Sequence, residues 1–194
     1  LSNEIKPYLE FLGLDLGSVH LPELSRMQFS TQKGNMLECK LDLGGMGISR
    51  YTLDHLLYQK FLDAGGEIIQ TTAENCKFYG DIFLVHCKDG QTLEANFVLG
   101  AYGKRSSLDK RLRRSFINKK SAWMAVKAHY DNHDFPDDLV ALHNFQGGYC
   151  GLSNTDLGTV NVCYLAAYES FKIYGNIKSY ENKVLSRNPY LKDF

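Results

Sequence analysis

Three glycine-rich stretches carry the residue types best able to hold a small anion or a cofactor. In "VLGAYGKRSSLDKRL" (98–112), Gly100 and Gly103 bracket Tyr102 directly after an apolar run, and Lys104, Arg105, Ser106 and Ser107 follow. Glycine permits tight backbone geometry and the close approach of another group. The cations and hydroxyls behind it could donate to a phosphate-bearing ligand, and the same stretch also reads as a plain turn before a solvated basic helix. It is not a Walker A loop: two residues separate the glycines where four are needed, and Arg105 occupies the Ser/Thr position.

"LDLGGMGISRYTL" (41–53) places glycines between a strand-like and a helix-like run, where a dinucleotide fingerprint would sit. The G-x-G-x-x-G spacing fails, because counting from Gly45 and Gly47 the third position is Arg50. An arginine in the first turn of a helix opposes the macrodipole, so it either serves an anionic or electron-rich ligand or is an ordinary surface side chain. "NFQGGYCGLS" (144–153) packs three glycines around Tyr149 and Cys150, which fits a ligand approaching the backbone or a bulged hairpin. No catalytic set declares itself. Cys150 has no histidine partner in sequence, and the six histidines are scattered.

The elements that must position these residues follow from pattern. "SNEIKPYLEFLGL" has helical apolar spacing and stops at Gly13; "MQFSTQKGNMLECKLDL" reads as a hairpin turning at Lys33-Gly34-Asn35. Ser49 is a good N-cap for a helix whose stripe is Leu53, Leu57, Phe61 and Ala64, closed by Gly65-Gly66. A strand is expected from Glu67 to Gln70, then a three-run antiparallel meander punctuated by Gly80-Asp81 and Asp89-Gly90. From Ser121, four strand-like runs predict one antiparallel sheet, covered by a single helix from about Glu169 to Leu185 that Gly175 weakens. The fold class is therefore α+β.

The chain has 194 residues, with 22 basic and 22 acidic side chains, so no global charge draws it to nucleic acid or an anionic membrane. The one asymmetry is local: eight Lys and Arg fall between Lys104 and Lys120, offset only by Asp109. Five cysteines without CxxC spacing read as reduced thiols, which suggests the cytoplasm, and no metal-binding cluster is expected. There is no run of 18 apolar residues. Both ends fall inside apparent structure, so an interior piece of a longer protein is expected.

In order, "GISRYTLDHLLYQKFLDAGGEIIQ", the meander ending in "ANFVLGAYGKRSSLDKRL" and the sheet with "GGYCGLS" resemble the middle of an FAD-dependent oxidoreductase. The closest likeness is to the geranylgeranyl reductase family, within the flavoproteins built like p-hydroxybenzoate hydroxylase. That resemblance implies three parts: 1–43, a helix and hairpin in the substrate region; 44–118, part of an FAD-binding domain; 119–194, an antiparallel substrate-binding sheet with its helix. It implies FAD in the full-length protein, NAD(P)H as electron donor, and an apolar, isoprenoid- or quinone-like substrate. It places Arg50, Gly100, Gly103 and Ser106 beside the cofactor. Tyr102 departs from the pattern, standing where the family carries Asp. A different class of reading is a self-contained α+β module gripping a small apolar ligand or a partner protein.

Alternation along the sheet strands divides their side chains between two faces. Met124, Val126, Val140, Leu142, Val160 and Val162 are expected under the C-terminal helix. Trp123, Lys127, His129, His143 and Tyr149 are expected on the other face, lining the substrate cavity.

Overall fold

The computed structural model describes residues 1–103, 106–131 and 134–192. The chain packs as two units, one formed by 1–66 with 121–194 and the other by 67–120. These boundaries fall at 66/67 and 120/121, whereas the segments drawn from sequence divide at 43/44 and 118/119.

The first unit is built on a six-stranded sheet. The hairpin strands β1 (Glu23–Ser30) and β2 (Met36–Met46) join the later strands β6 (Trp123–Tyr130), β7 (Leu139–Phe145), β8 (Gly148–Asn154) and β9 (Val160–Ala167). The strand order is β2-β1-β7-β8-β9-β6. Every pairing is antiparallel except β1 with β7, which run parallel from Arg26↔Leu139 to Ser30↔His143. The four expected strands are present, but the sheet is larger than four and mixed. Arg26 secures the parallel seam by reaching Asp138 at 2.6 and 2.8 Å and Glu38 at 2.7 Å.

Local chemistry explains the ends of the elements. Helix α1 (Lys6–Phe11) stops before Gly13, at φ +70°, and the hairpin turns through Gly34 at φ +86°. Helix α2 (Arg50–Asp63) is capped by the Ser49 hydroxyl, which accepts from Thr52 N–H at 3.0 Å. Asp156, in the β8–β9 turn, accepts from both Ser49 N–H and the Thr52 hydroxyl and so ties that helix start to the sheet.

The single C-terminal helix expected from Glu169 to Leu185 is two short ones, α4 (Tyr168–Lys172) and α5 (Ile177–Lys183). Gly175 sits at φ +75° between them, and Asn176 caps the second by accepting from Ser179 N–H. A left-handed residue ends a right-handed helix, so this glycine breaks what it was expected only to weaken. These helices and the following turns cover one face of the sheet. Leu139, Ala141, Phe145, Cys150, Leu152, Val160, Val162, Tyr164 and Ala166 pack there with Tyr180, Val184, Leu185 and Leu191.

The second unit contains the meander β3 (Ala73–Tyr79), β4 (Ile82–Cys87) and β5 (Thr92–Ala95), with a short helix α3 (Leu108–Arg111). Residues 67–70 are not a strand; pairing begins at Ala73. The apolar run after β5 has no sheet partners among the described residues, leaving Phe97 86% and Leu99 93% exposed.

Candidate functional site

The registers place side chains in rows across the six-stranded sheet. On the uncovered face one row is Leu142, Gly151, Cys163 and Lys127, and the next is Val140, Ser153, Asn161 and His129. A third aligns Tyr149, Leu165 and Ala125, with Trp123 opposite Ala167 at the strand end. Trp123, Lys127, His129 and Tyr149 therefore share one face, each exposed within this unit. The Asn161 Oδ1 on that face is buried and has no hydrogen-bond partner among the described residues. The face combines flat aromatic walls, one ammonium group, an imidazole and an unmet carbonyl acceptor.

His143 does not belong with them. It lies on the covered face, 3% exposed, opposite Ser30 and Cys150. Its ring stacks on Tyr190 with centroids 5.3 Å apart, and its Nδ1 is 2.9 Å from the Ser30 hydroxyl. Asn188 donates to that hydroxyl oxygen at 2.7 Å and to the Asn144 carbonyl at 2.9 Å. The hydroxyl hydrogen is then available for Nδ1, which assigns the neutral ring's proton to Nε2. Burial pushes the His143 pKa down to about 4. It is a neutral core residue. Val140 and Leu142, expected beneath the helices, lie on the uncovered face instead. Strand β7 is apolar on both sides, so alternation could not set its phase; the small Ala141 and the large Phe145 meet the helix layer.

The glycines around Tyr149 also have a local reason. Gly147, at φ +87°, turns the β7–β8 hairpin, and a Cβ on Gly148 would stand 2.0 Å from the Leu165 carbonyl oxygen. They serve the tight turn and the close strand approach.

Arg50 opens α2 as expected, with its side chain 77% exposed and paired to Asp54 at 3.1 Å across one helical turn. Gly100, Gly103 and Ser106 belong to the second unit, and Lys104 and Arg105 lie outside the described residues. Gly103 has φ +69° and open space where a Cβ would stand, while the Ser106 hydroxyl accepts from Leu108 N–H at 3.1 Å. This loop has a feature that sequence reasoning missed. The Tyr102 hydroxyl donates to the buried Asp109 carboxylate at 2.9 Å, and Arg114 approaches the same oxygen at 3.5 Å. The bond to Asp109 raises the Tyr102 pKa. The one available signal was Asp109 itself, a lone acid in a basic segment. The Tyr102 ring borders an open cleft of about 810 Å³ walled by Phe78, Phe83, Val98, Leu99 and Leu112.

Among the described residues, no group of three or more His, Cys, Asp and Glu side chains is placed to hold a metal ion, and no helix is long and apolar enough to cross a membrane. All five cysteines are free thiols.

Neither a protein-family model nor a curated protein sequence matches the chain. Solved structures do. The flavin-dependent brominase Bmp2 is 15% identical at TM-score 0.74, covering 100% of this chain and 52% of that one. The myxobacterial chondrochloren halogenase CndH, an FAD-dependent halogenase, is 14% identical at 0.75, covering 100% and 49%. A flavoprotein/dehydrogenase from Cytophaga hutchinsonii is 13% identical at 0.74, covering 100% and 52%. The chain thus spans about half the length of these flavoproteins and has, from end to end, the fold of that half.

Proposed function

We propose that this chain is the substrate-side portion of a flavin-dependent oxidoreductase. The observation that carries the reading is the fold match over the whole chain to flavin-dependent enzymes and flavoproteins about twice its length. FAD, when bound in the full-length protein, supplies the electron transfer. This chain's own residues contribute to binding and placement. Arg50 presents a cation at the helix start, and the Gly100–Ser106 loop offers open backbone at Gly103. Neither unit carries the glycine-rich pyrophosphate loop on which dinucleotide affinity rests.

The substrate face is the uncovered side of the six-stranded sheet. Trp123 and Tyr149 provide apolar bulk for a flat or branched hydrophobic body, and Lys127, His129 and the Asn161 carbonyl fix its polar end. An apolar substrate of isoprenoid or quinone type is consistent with that lining. The finer assignment to geranylgeranyl reductases rests on the order and spacing of the motifs, and NAD(P)H as electron donor only on what that resemblance implies. Tyr102, bonded to Asp109, gives a nicotinamide cofactor no carboxylate at the family's Asp position.

The test extends the open reading frame on both sides and expresses the longer product beside this chain. The longer product is expected to purify yellow with one FAD per chain. The 194-residue chain is expected to be colourless, with FAD affinity weaker than about 1 μM, roughly −8 kcal/mol. A colourless longer product, or stoichiometric submicromolar FAD binding by this chain, overturns the reading.

A further inference from the structure

In the second unit, Phe97-Val98-Leu99 follows β5 directly and runs into Gly100. All three side chains are exposed, Phe97 and Leu99 almost fully. No backbone hydrogen bond joins residues 97–101 to another described residue. Such a segment lacks two things at once. Its apolar side chains have no cover, and its N–H and C=O groups have no ladder, although aromatic and β-branched residues favour one. Three consecutive apolar residues with no polar one between them fit a strand covered on both faces, as inside a parallel sheet. The meander does not supply that setting. Its last strand, β5, pairs with β4 only from Thr92 to Ala95, and the cleft walled by Phe78, Phe83 and Leu112 leaves Leu99 bare.

We propose that residues 97–101 are a strand of a second sheet, whose other strands belong to the part of the full-length protein outside this chain. Length identifies the occupant. The fold match includes this run, yet leaves about half of each matching flavoprotein outside. An unpaired strand edge is a template for another strand, and burying Phe97 and Leu99 against a neighbouring layer supplies the missing cover. The glycine loop at Gly100–Gly103 then stands at the carboxyl end of the added strand, where open α/β sheets bind their ligands. The inference rests on the flavoprotein reading for the existence of that further chain, and it adds where the further chain docks.

The test is hydrogen exchange, followed by mass spectrometry, on this chain and on the product of the extended reading frame. Amides of 97–101 are expected to exchange at least ~100-fold more slowly in the longer product. Leu99→Asp should leave the melting temperature of this chain within about 1 °C, because its side chain is already in water. In the longer product it should lower the melting temperature by about 5 °C or more, since a charge would be buried. Leu99→Ala, a milder change, should lower it by roughly half as much. Equal exchange in the two products, or Leu99 variants that melt with the parent in both, overturns the proposal even where the longer product is yellow. Slow exchange in this chain alone, with a dimer in sedimentation, assigns the run to a second copy and also overturns it. A colourless longer product in which 97–101 is protected supports the docking and overturns the flavin reading alone.

Discussion

The two faces of the six-stranded sheet have been given opposite tasks by strands of similar composition. On one, Leu152, Val160, Val162 and Tyr164 meet Tyr180, Val184 and Leu185 and are almost fully withdrawn from water. On the other, Val140, Leu142, Cys163 and Leu165 stay half-exposed beside Trp123, Lys127, His129 and Tyr149. The difference lies in what arrives to cover them. One side receives the C-terminal helices and an aromatic cluster; on the other, Trp123, Lys127, His129 and Tyr149 remain exposed within this unit. A sheet that holds its apolar surface half-open on one side has its stability concentrated on the other.

That asymmetry can be broken first where it is strongest. Tyr180 is fully buried and packs edge-on or tilted against Phe145, Tyr164, Phe171 and Tyr174. Tyr180→Ala should cost about 3–5 kcal/mol in urea unfolding at neutral pH; a loss under about 1 kcal/mol would mean the helix layer is not what stabilises the sheet. Next comes Asn188, fully buried, whose amide joins Ser30, Thr31 and Asn144. Asn188→Ala leaves the buried Ser30 hydroxyl and two part-buried carbonyls without this donor and should cost about 2–3 kcal/mol. A variant as stable as the parent would show the network to be dispensable.

Acid should attack the covered face through His143. Its folded pKa of about 4 lies below the ordinary value of 6.5, so the unfolded chain binds the extra proton first. Stability from this site is complete above about pH 6.5 and falls as the pH drops toward 4. His143→Gln should flatten the urea midpoint over that window. Asp138, held below the usual carboxylate range by its hydrogen bonds to Arg26, acts at lower pH. A parent whose midpoint is level between pH 6.5 and 4 would contradict the buried neutral ring. The smallest effect belongs to the uncovered face: Trp123→Ala and Tyr149→Ala should each stay within about 0.5 kcal/mol of the parent. Losses comparable to that of Tyr180→Ala would show this face to be packed in solution.

Much of this was legible in the sequence where one residue type decides a local outcome. Gly13, the Lys33-Gly34-Asn35 turn, Ser49 and Gly65 mark element ends because a left-handed backbone or an N-cap has few chemical solutions. The α+β class and the four later strands followed from alternation. What failed was non-local. Strand β7 shows apolar residues to both sides, so only its packed neighbours fix which side is covered, and His143 was misplaced with it. The parallel seam between β1 and β7 joins segments over a hundred residues apart and leaves no trace in either alone. Of the candidate site, four of the five sheet residues fall on one face. The Tyr102–Asp109 bond depends on side-chain directions that spacing does not encode.

The parallel seam sets a timetable for synthesis. Ser30 must wait for His143, a separation of 113 residues, before β1 finds its second neighbour. At roughly 5–20 residues per second on the ribosome, the finished β1–β2 hairpin spends about 6–23 s with its inner edge unpaired. During that interval the chain between makes its own meander, whose pairings are short in sequence and close without the first unit. The nascent protein is thus at its most adhesive between the emergence of Ser30 and that of Phe145, and a chaperone that shields a bare strand edge would matter most in that interval.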